Sequence, residues 1–216
     1  MDDKNFVLQL KLAIGARLYN GWDFLRTFFK YWRNCTFARI DAKLLASYFW
    51  ESPYRIARRE SDEPYGETPL VTMEKIAERA QIGKEDVVYE LGSGRGRTSF
   101  WLACFRGCKV IGIEYNEVFV EKAKRVKCPG VAFVNQDYLL VDMTPATVIY
   151  LYGTLLEEKE IFELCKRWRG LKKGTRVVTI SYPLQEYVAE PIFRLVEEFE
   201  VEFQWGRTSA YLQERL

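Results

Sequence analysis

The chain has 216 residues, enough for one domain with a full core and a helical appendage. Hydrophobic residues make up 48% and charged residues 29%, a soluble globular balance that excludes a disordered chain. The formal net charge of +2 gives no compositional argument for a nucleic-acid partner.

The charge is uneven along the chain. Residues 1–60 carry eleven Lys/Arg against six Asp/Glu. The acidic start, and Lys11 and Arg17 within the apolar run that follows, argue against a secretory signal and a transmembrane span. Residues 5–50 predict two or three amphipathic helices, with a break at Asn20-Gly21, a second helix from Trp22 to Trp32 and a third from Asp41 to Phe49. This N-terminal helical extension, residues 1–60, reads first as a cap on the following domain. Its Lys/Arg and Trp/Phe content also suits a peripheral membrane contact. A nucleic-acid contact through Trp22, Tyr31, Trp32 and Trp50 is less favoured.

Residues 60–69, with two prolines and a glycine, predict a linker. Pro69 then suits the first turn of a helix capped by Thr68 and running to about Gln81. Beyond it, strands at 87–91, 109–114, 131–134, 147–152 and 176–180 alternate with helices at 98–105, 117–125 and 155–169. This order predicts an α/β, Rossmann-like, doubly wound and mostly parallel sheet. Residues 199–205 and 209–214 alternate in polarity around a turn at Gly206-Arg207, a C-terminal antiparallel hairpin that completes seven strands. A second unit, residues 61–216, is thus expected after the extension.

The chemistry is narrowed by what is missing. The chain has no histidine, which removes a Ser-His-Asp triad and any histidine base. Its five cysteines (Cys35, Cys104, Cys108, Cys128 and Cys165) lack CxxC spacing, so no metal is expected and a reducing, cytoplasmic setting is.

The strongest motif is Glu90-Leu91-Gly92-Ser93-Gly94-Arg95-Gly96 at the junction of the first strand and its helix. A dinucleotide site would place the third glycine at Arg97, so that a pyrophosphate meets the helix N-terminus. Here that glycine comes one residue early and an acidic residue precedes the loop. S-adenosylmethionine (SAM) has no phosphate but carries a sulfonium and an ammonium, which Glu90 suits. Glu114, ending the second strand, can accept both ribose hydroxyls, and Asp137 after the third strand can accept from the adenine amino group. Arg97 is expected on the surface at a helix start. Arg95 borders the pocket, and neither arginine is given a role.

Four segments, Tyr65-Gly66-Glu67-Thr68, Glu90 to Arg97, Gly112-Ile113-Glu114 and Val148-Ile149-Tyr150-Leu151, resemble those of seven-strand protein-lysine methyltransferases. Two branches share them: the non-SET histone-lysine enzymes, and the group of the mitochondrial ATP-synthase c-subunit lysine methyltransferase and its bacterial relatives. The wording of the glycine loop and of residues 172–178 is similar to the second branch. The resemblance spans roughly residues 64–183 and implies that 61–216 is a SAM-dependent methyltransferase domain acting on a lysine of a protein. In the first branch the Tyr-Gly-Glu-Thr segment folds over SAM, which makes Tyr65 and Glu67 candidates for a lid, joining Glu90, Gly92, Ser93, Gly94, Gly96, Glu114 and Asp137 as expected cofactor-binding residues.

Tyr152-Gly153-Thr154 departs from the asparagines that the histone branch has after strand four, so a histone acceptor is not implied. An Asn/Asp-Pro-Pro-aromatic signature for planar amino groups is also absent. Tyr150, Tyr152, Thr154 and Tyr182, with Tyr65, are expected to line a channel that desolvates the acceptor; of these, Tyr152, Thr154 and Tyr150 are the candidate catalytic residues. A small-molecule or RNA methyltransferase and a non-catalytic SAM-binding protein are the alternatives.

Overall fold

A computed structural model describes residues 25, 27–59, 65–188 and 190–216. The expected first helix, the Asn20-Gly21 break and Trp22 lie outside them. Residues 27–31 are helical. Helix α1 (Cys35–Ser47) starts six residues before the expected third helix, because the Asn34 side chain accepts from the amides of Thr36 and Phe37. Its buried residues Phe37, Ile40, Asp41 and Leu44 form one helical stripe. A short α2 (Pro53–Ala57) follows. Helix α3 (Leu70–Arg79) opens after Pro69, and the expected Thr68 cap is not made. The Thr68 hydroxyl instead lies 2.6 Å from that of Tyr150.

The alternating core then runs β1 (Val87–Leu91), α4 (Arg97–Arg106), β2 (Lys109–Glu114), α5 (Glu117–Lys124), β3 (Val131–Asn135), β4 (Val148–Leu151), α6 (Glu158–Trp168) and β5 (Arg176–Ile180). The hairpin β6 (Phe193–Phe203) and β7 (Gly206–Arg215) closes the chain. These form one seven-stranded sheet in the order β3-β2-β1-β4-β5-β7-β6, parallel from β3 to β5 and antiparallel in the hairpin. The expected fold is the observed one.

Side chains along a strand alternate between the two faces. Val88, Val148, Tyr150, Val178 and Ile180 join a core with Tyr31, Phe37, Ile40, Leu44 and Tyr48 from the N-terminal helices and with Phe100, Trp101 and Phe119. Tyr89, Leu91, Ile149 and Val177 join a second core with Ile161, Leu164 and Trp168. Both faces are covered, as a parallel sheet requires.

The hairpin differs in two details. Strand β6 starts at Phe193, and a register irregularity between Leu195 and Glu197 breaks the alternation that marked only its second half. Phe203 pairs with Gly206, so Gln204 and Trp205 form the turn in place of Gly206-Arg207.

Candidate active site

The sheet order reverses direction between β1 and β4, and open α/β sheets bind ligands at the strand ends flanking such a point. Glu90 of β1 pairs in register with Tyr150 of β4 there. The cleft above them is lined by the segment 65–68, the glycine loop, Arg97, Thr98, Tyr150 and Tyr152.

Gly92, Gly94 and Gly96 all have positive φ, a conformation costly for any side chain. Two of them also need the missing Cβ for space: at Gly94 it would fall 2.7 Å from the Tyr65 hydroxyl, and at Gly96 2.4 Å from the Phe133 ring. The amides of Gly92 and Ser93 donate to the Ile113 carbonyl, tying the loop to β2.

Glu90 is 4% exposed, and its two carboxylate oxygens accept the hydroxyls of Thr98 and Ser99 from α4. Burial pushes its carboxyl up to about 7, against the lowering effect of both hydroxyls. The Glu114 carboxylate accepts the Gly94 amide at 2.7 Å and the Asn116 amide at 2.9 Å, bridging the glycine loop to the start of α5. Asp137 caps the turn after β3 by accepting from Leu139 at 2.8 Å. The Gln136 amide donates to the Glu114 carbonyl and holds that turn beside β2.

Residues 65–68, from the stretch predicted as a linker, lie over this loop. Tyr65 stacks on Phe119, with ring centroids 5.1 Å apart, and donates its hydroxyl to Glu67 at 2.7 Å. Glu67 also receives the Arg95 guanidinium, Nη2 to Oε2 at 2.6 Å. Burial opposes the charge on Glu67 most strongly, but Arg95, the Tyr65 hydroxyl and Arg97 together hold the carboxyl low.

Arg97 is not a surface residue. It forks onto Asp41 of α1 at 2.8 and 3.0 Å, and the Asp41 side chain is fully buried. Sequence spacing gave no sign of this pair, whose partners lie 56 positions apart.

The acceptor candidates separate. Tyr152 packs on Phe203 at 4.8 Å, receives the Trp205 indole N–H at 2.7 Å and hydrogen-bonds Thr154. Burial raises its phenol pKa. Phe203 stacks in turn on Trp205 at 5.5 Å. Tyr150 is buried on the cleft floor with its hydroxyl against Thr68. Tyr182 is elsewhere: Ser181, at φ +74°, breaks the strand alternation and sends Tyr182 into the second core beside Tyr187. Phe203 and Trp205 escaped the sequence reading because they reach Tyr152 only through the hairpin. An aromatic at the tip of a strand pair was the available signal.

The residues fit SAM on two observations. The Ser93 hydroxyl in the loop is buried with no hydrogen-bond partner among the described residues, a group a polar ligand would satisfy. A Cβ at Gly92 would meet nothing within 4 Å, so the loop backbone faces open space that a ligand could approach.

Comparison with known proteins agrees. Residues 54–128, which hold the segment 65–68, the glycine loop and Glu114, match the family described as Histone methylation protein DOT1. A protein-lysine N-methyltransferase of Saccharolobus islandicus (strain REY15A) is 28% identical over 138 residues, 61% of this chain and 84% of that protein. The crystal structure of an RNA methyltransferase from Salinibacter ruber, in complex with S-adenosyl-L-homocysteine, superposes with a TM-score of 0.58 at 26% identity, covering 69% of this chain and 93% of that one. The magnesium protoporphyrin IX methyltransferase of Synechocystis PCC 6803, with bound SAM, shares the fold at 14% identity and a TM-score of 0.58, covering 81% of this chain and 97% of that one.

Fold, loop and relatives together define a class I, seven-strand SAM-dependent methyltransferase. Within that class the chain resembles the protein-lysine methyltransferases.

Proposed function

We propose that the chain methylates the side-chain nitrogen of a lysine in a protein. The observation that carries this reading is the aromatic stack of Tyr152, Phe203 and Trp205 where the cleft meets the hairpin turn. The similarity to a protein-lysine N-methyltransferase supports it.

In this reading Gly92, Ser93, Gly94 and Gly96 cradle the methionine end of SAM with their backbone, Glu90 answers its positive charge, Glu114 the ribose and Asp137 the adenine amino group. Tyr65 and Glu67 close over it. Bound SAM supplies an electrophilic methyl on a sulfonium.

The protein's own task is orientation and exclusion of water, because in-line displacement needs the nitrogen lone pair aimed at the methyl. A lysine ammonium has no lone pair and must first lose its proton. Burial against aromatic rings disfavours the charged form and lowers its pKa, which serves this purpose without a histidine. The amine N–H groups then need acceptors, and the hydroxyls of Tyr152 and Thr154 can provide them. Tyr150 supports the arrangement by holding Thr68, and with it the lid, against the sheet. Among the described residues no helix is long and apolar enough to cross a membrane.

The test is a methyl-transfer assay with radiolabelled SAM on a cell lysate, treated afterwards with protease or with ribonuclease. Protease-sensitive label on lysine is expected. Label that survives protease would sink the lysine reading, ribonuclease-sensitive label would make the substrate RNA, and no label would leave a cofactor-binding protein.

A further inference from the structure

The cleft carries two cations among its lining residues, Arg95 and Arg97, and they are held very differently. Arg97 is fixed to the buried Asp41 of α1 by two hydrogen bonds, and Asp41 also receives the Trp32 indole N–H at 3.1 Å. Arg95 is held by Glu67, a residue of the segment over the cleft. The two side chains are 13% and 27% exposed. Arg95 Nε lies 2.6 Å from Glu67 Oε1 but out of hydrogen-bonding line, a buried N–H without an acceptor among the described residues.

A buried guanidinium left without an anion is costly, so whatever displaces Glu67 from Arg95 must bring a negative charge of its own. The methionine end of SAM brings one, as an α-carboxylate with an α-ammonium beside it. A carboxylate matches the planar fork of arginine, whose N–H groups form paired bonds with its two oxygens. Glu67, released from Arg95, is then a carboxylate beside an ammonium. Of the two arginines Arg95 is the one placed to make this exchange, because Arg97 cannot leave Asp41 without taking the charged partner from a fully buried carboxylate.

We infer that Arg95 anchors the α-carboxylate of the cofactor, and that its contact with Glu67 is the stand-in pair this carboxylate replaces. The inference rests on the cofactor-site reading above. It makes Arg95 a positioning residue: it holds the amino-acid end so that the sulfonium methyl faces the aromatic stack.

Calorimetry on the full chain tests it without measuring activity. The probes are S-adenosylhomocysteine, its α-carboxamide, and 5′-methylthioadenosine, which lacks the amino-acid end. Wild type should bind S-adenosylhomocysteine at least about tenfold more tightly than the carboxamide, the preference expected of a charge-assisted, forked contact. Arg95→Gln should abolish that preference, weakening S-adenosylhomocysteine at least about tenfold while changing 5′-methylthioadenosine less than about threefold. Equal weakening of both probes would make Arg95 a lid latch and overturn the inference, as would no weakening of either.

The wild-type comparison of carboxylate with carboxamide stands even if Arg95→Gln fails to fold, and equal affinities there also overturn the inference. Wild type binding none of the three probes would instead overturn the cofactor-site reading itself.

Discussion

Glu90 and Glu114 lie near the ends of neighbouring strands but meet different partners, side-chain hydroxyls at Glu90 and backbone N–H groups at Glu114. The Glu114 carboxylate accepts two backbone N–H groups, so Glu114→Ala removes the acceptor expected for the ribose along with two loop contacts. Affinity for S-adenosylhomocysteine should fall about tenfold to a hundredfold by calorimetry, the range of one or two hydrogen bonds to a charged group. Glu90 is buried, and its carboxyl is raised from 4.5 to about 7. Between those values the folded chain keeps a proton that the unfolded chain releases, so stability falls as pH rises through the window and levels above it. The loss is on the order of 3 kcal/mol. Glu90→Gln cannot titrate, so the stability gap between variant and wild type in urea unfolding should widen in the variant's favour from pH 4.5 to pH 8. A gap that does not move with pH would show that Glu90 does not titrate there. The glycine loop and Glu114 were legible in the sequence because their demands are local: a left-handed backbone, and a carboxylate at a strand end. Arg95 and Arg97 were not, since Glu67 and Asp41 reach them only through the fold.

At the scale of elements, the five parallel strands were read nearly to the residue because apolar runs between turns leave little freedom in placing them. The hairpin turn was shifted, since its glycine opens β7 and the turn itself is Gln204-Trp205. That shift matters for the site: it sets the Trp205 indole over Tyr152. Trp205→Phe keeps the stacked ring and loses the N–H that orients the phenol. It should raise the KM for the acceptor several-fold, up to about tenfold, while S-adenosylhomocysteine affinity stays at the wild-type value. A change in cofactor affinity instead would detach the turn from the acceptor site. On the other side of the cleft, Asp41 and Arg97 clamp α1 to the first turn of α4. Burial pushes the Asp41 carboxyl up, but Arg97, Trp32 and Arg95 together hold it below the usual carboxylate range, so its contribution is present above the unfolded pKa and is lost as pH falls through the lowered folded one. Asp41→Ala strands a largely buried guanidinium and should cost about 3–5 kcal/mol in chemical unfolding. Adding Arg97→Met should recover part of that loss, and failure to recover any would mean the damage comes from something other than the orphaned charge.

Across the whole molecule, the N-terminal third is where sequence and structure invite different pictures. Its composition changes at residue 60, which suggests an appendage that could be removed. Yet Tyr31, Phe37, Ile40, Leu44 and Tyr48 are at most 6% exposed and sit in the same core as Val88, Phe100 and Phe119. Burying each such side chain is worth about 1.5–3 kcal/mol, so these five alone contribute on the order of 10 kcal/mol. That rivals the entire net stability of a domain, about 5–15 kcal/mol. A chain reduced to residues 61–216 would expose the apolar faces of α4 and α5 and leave Arg97 without Asp41, just where the glycine loop enters its helix. It is therefore expected to lose a cooperative thermal transition, to bind a hydrophobic dye and to lose S-adenosylhomocysteine binding, while the full chain melts in one step. A truncated chain that melts within a few degrees of the full one and still binds would show instead that the cofactor site stands on the sheet alone. In that case the helices before residue 60 would be free to serve an acceptor or a membrane surface.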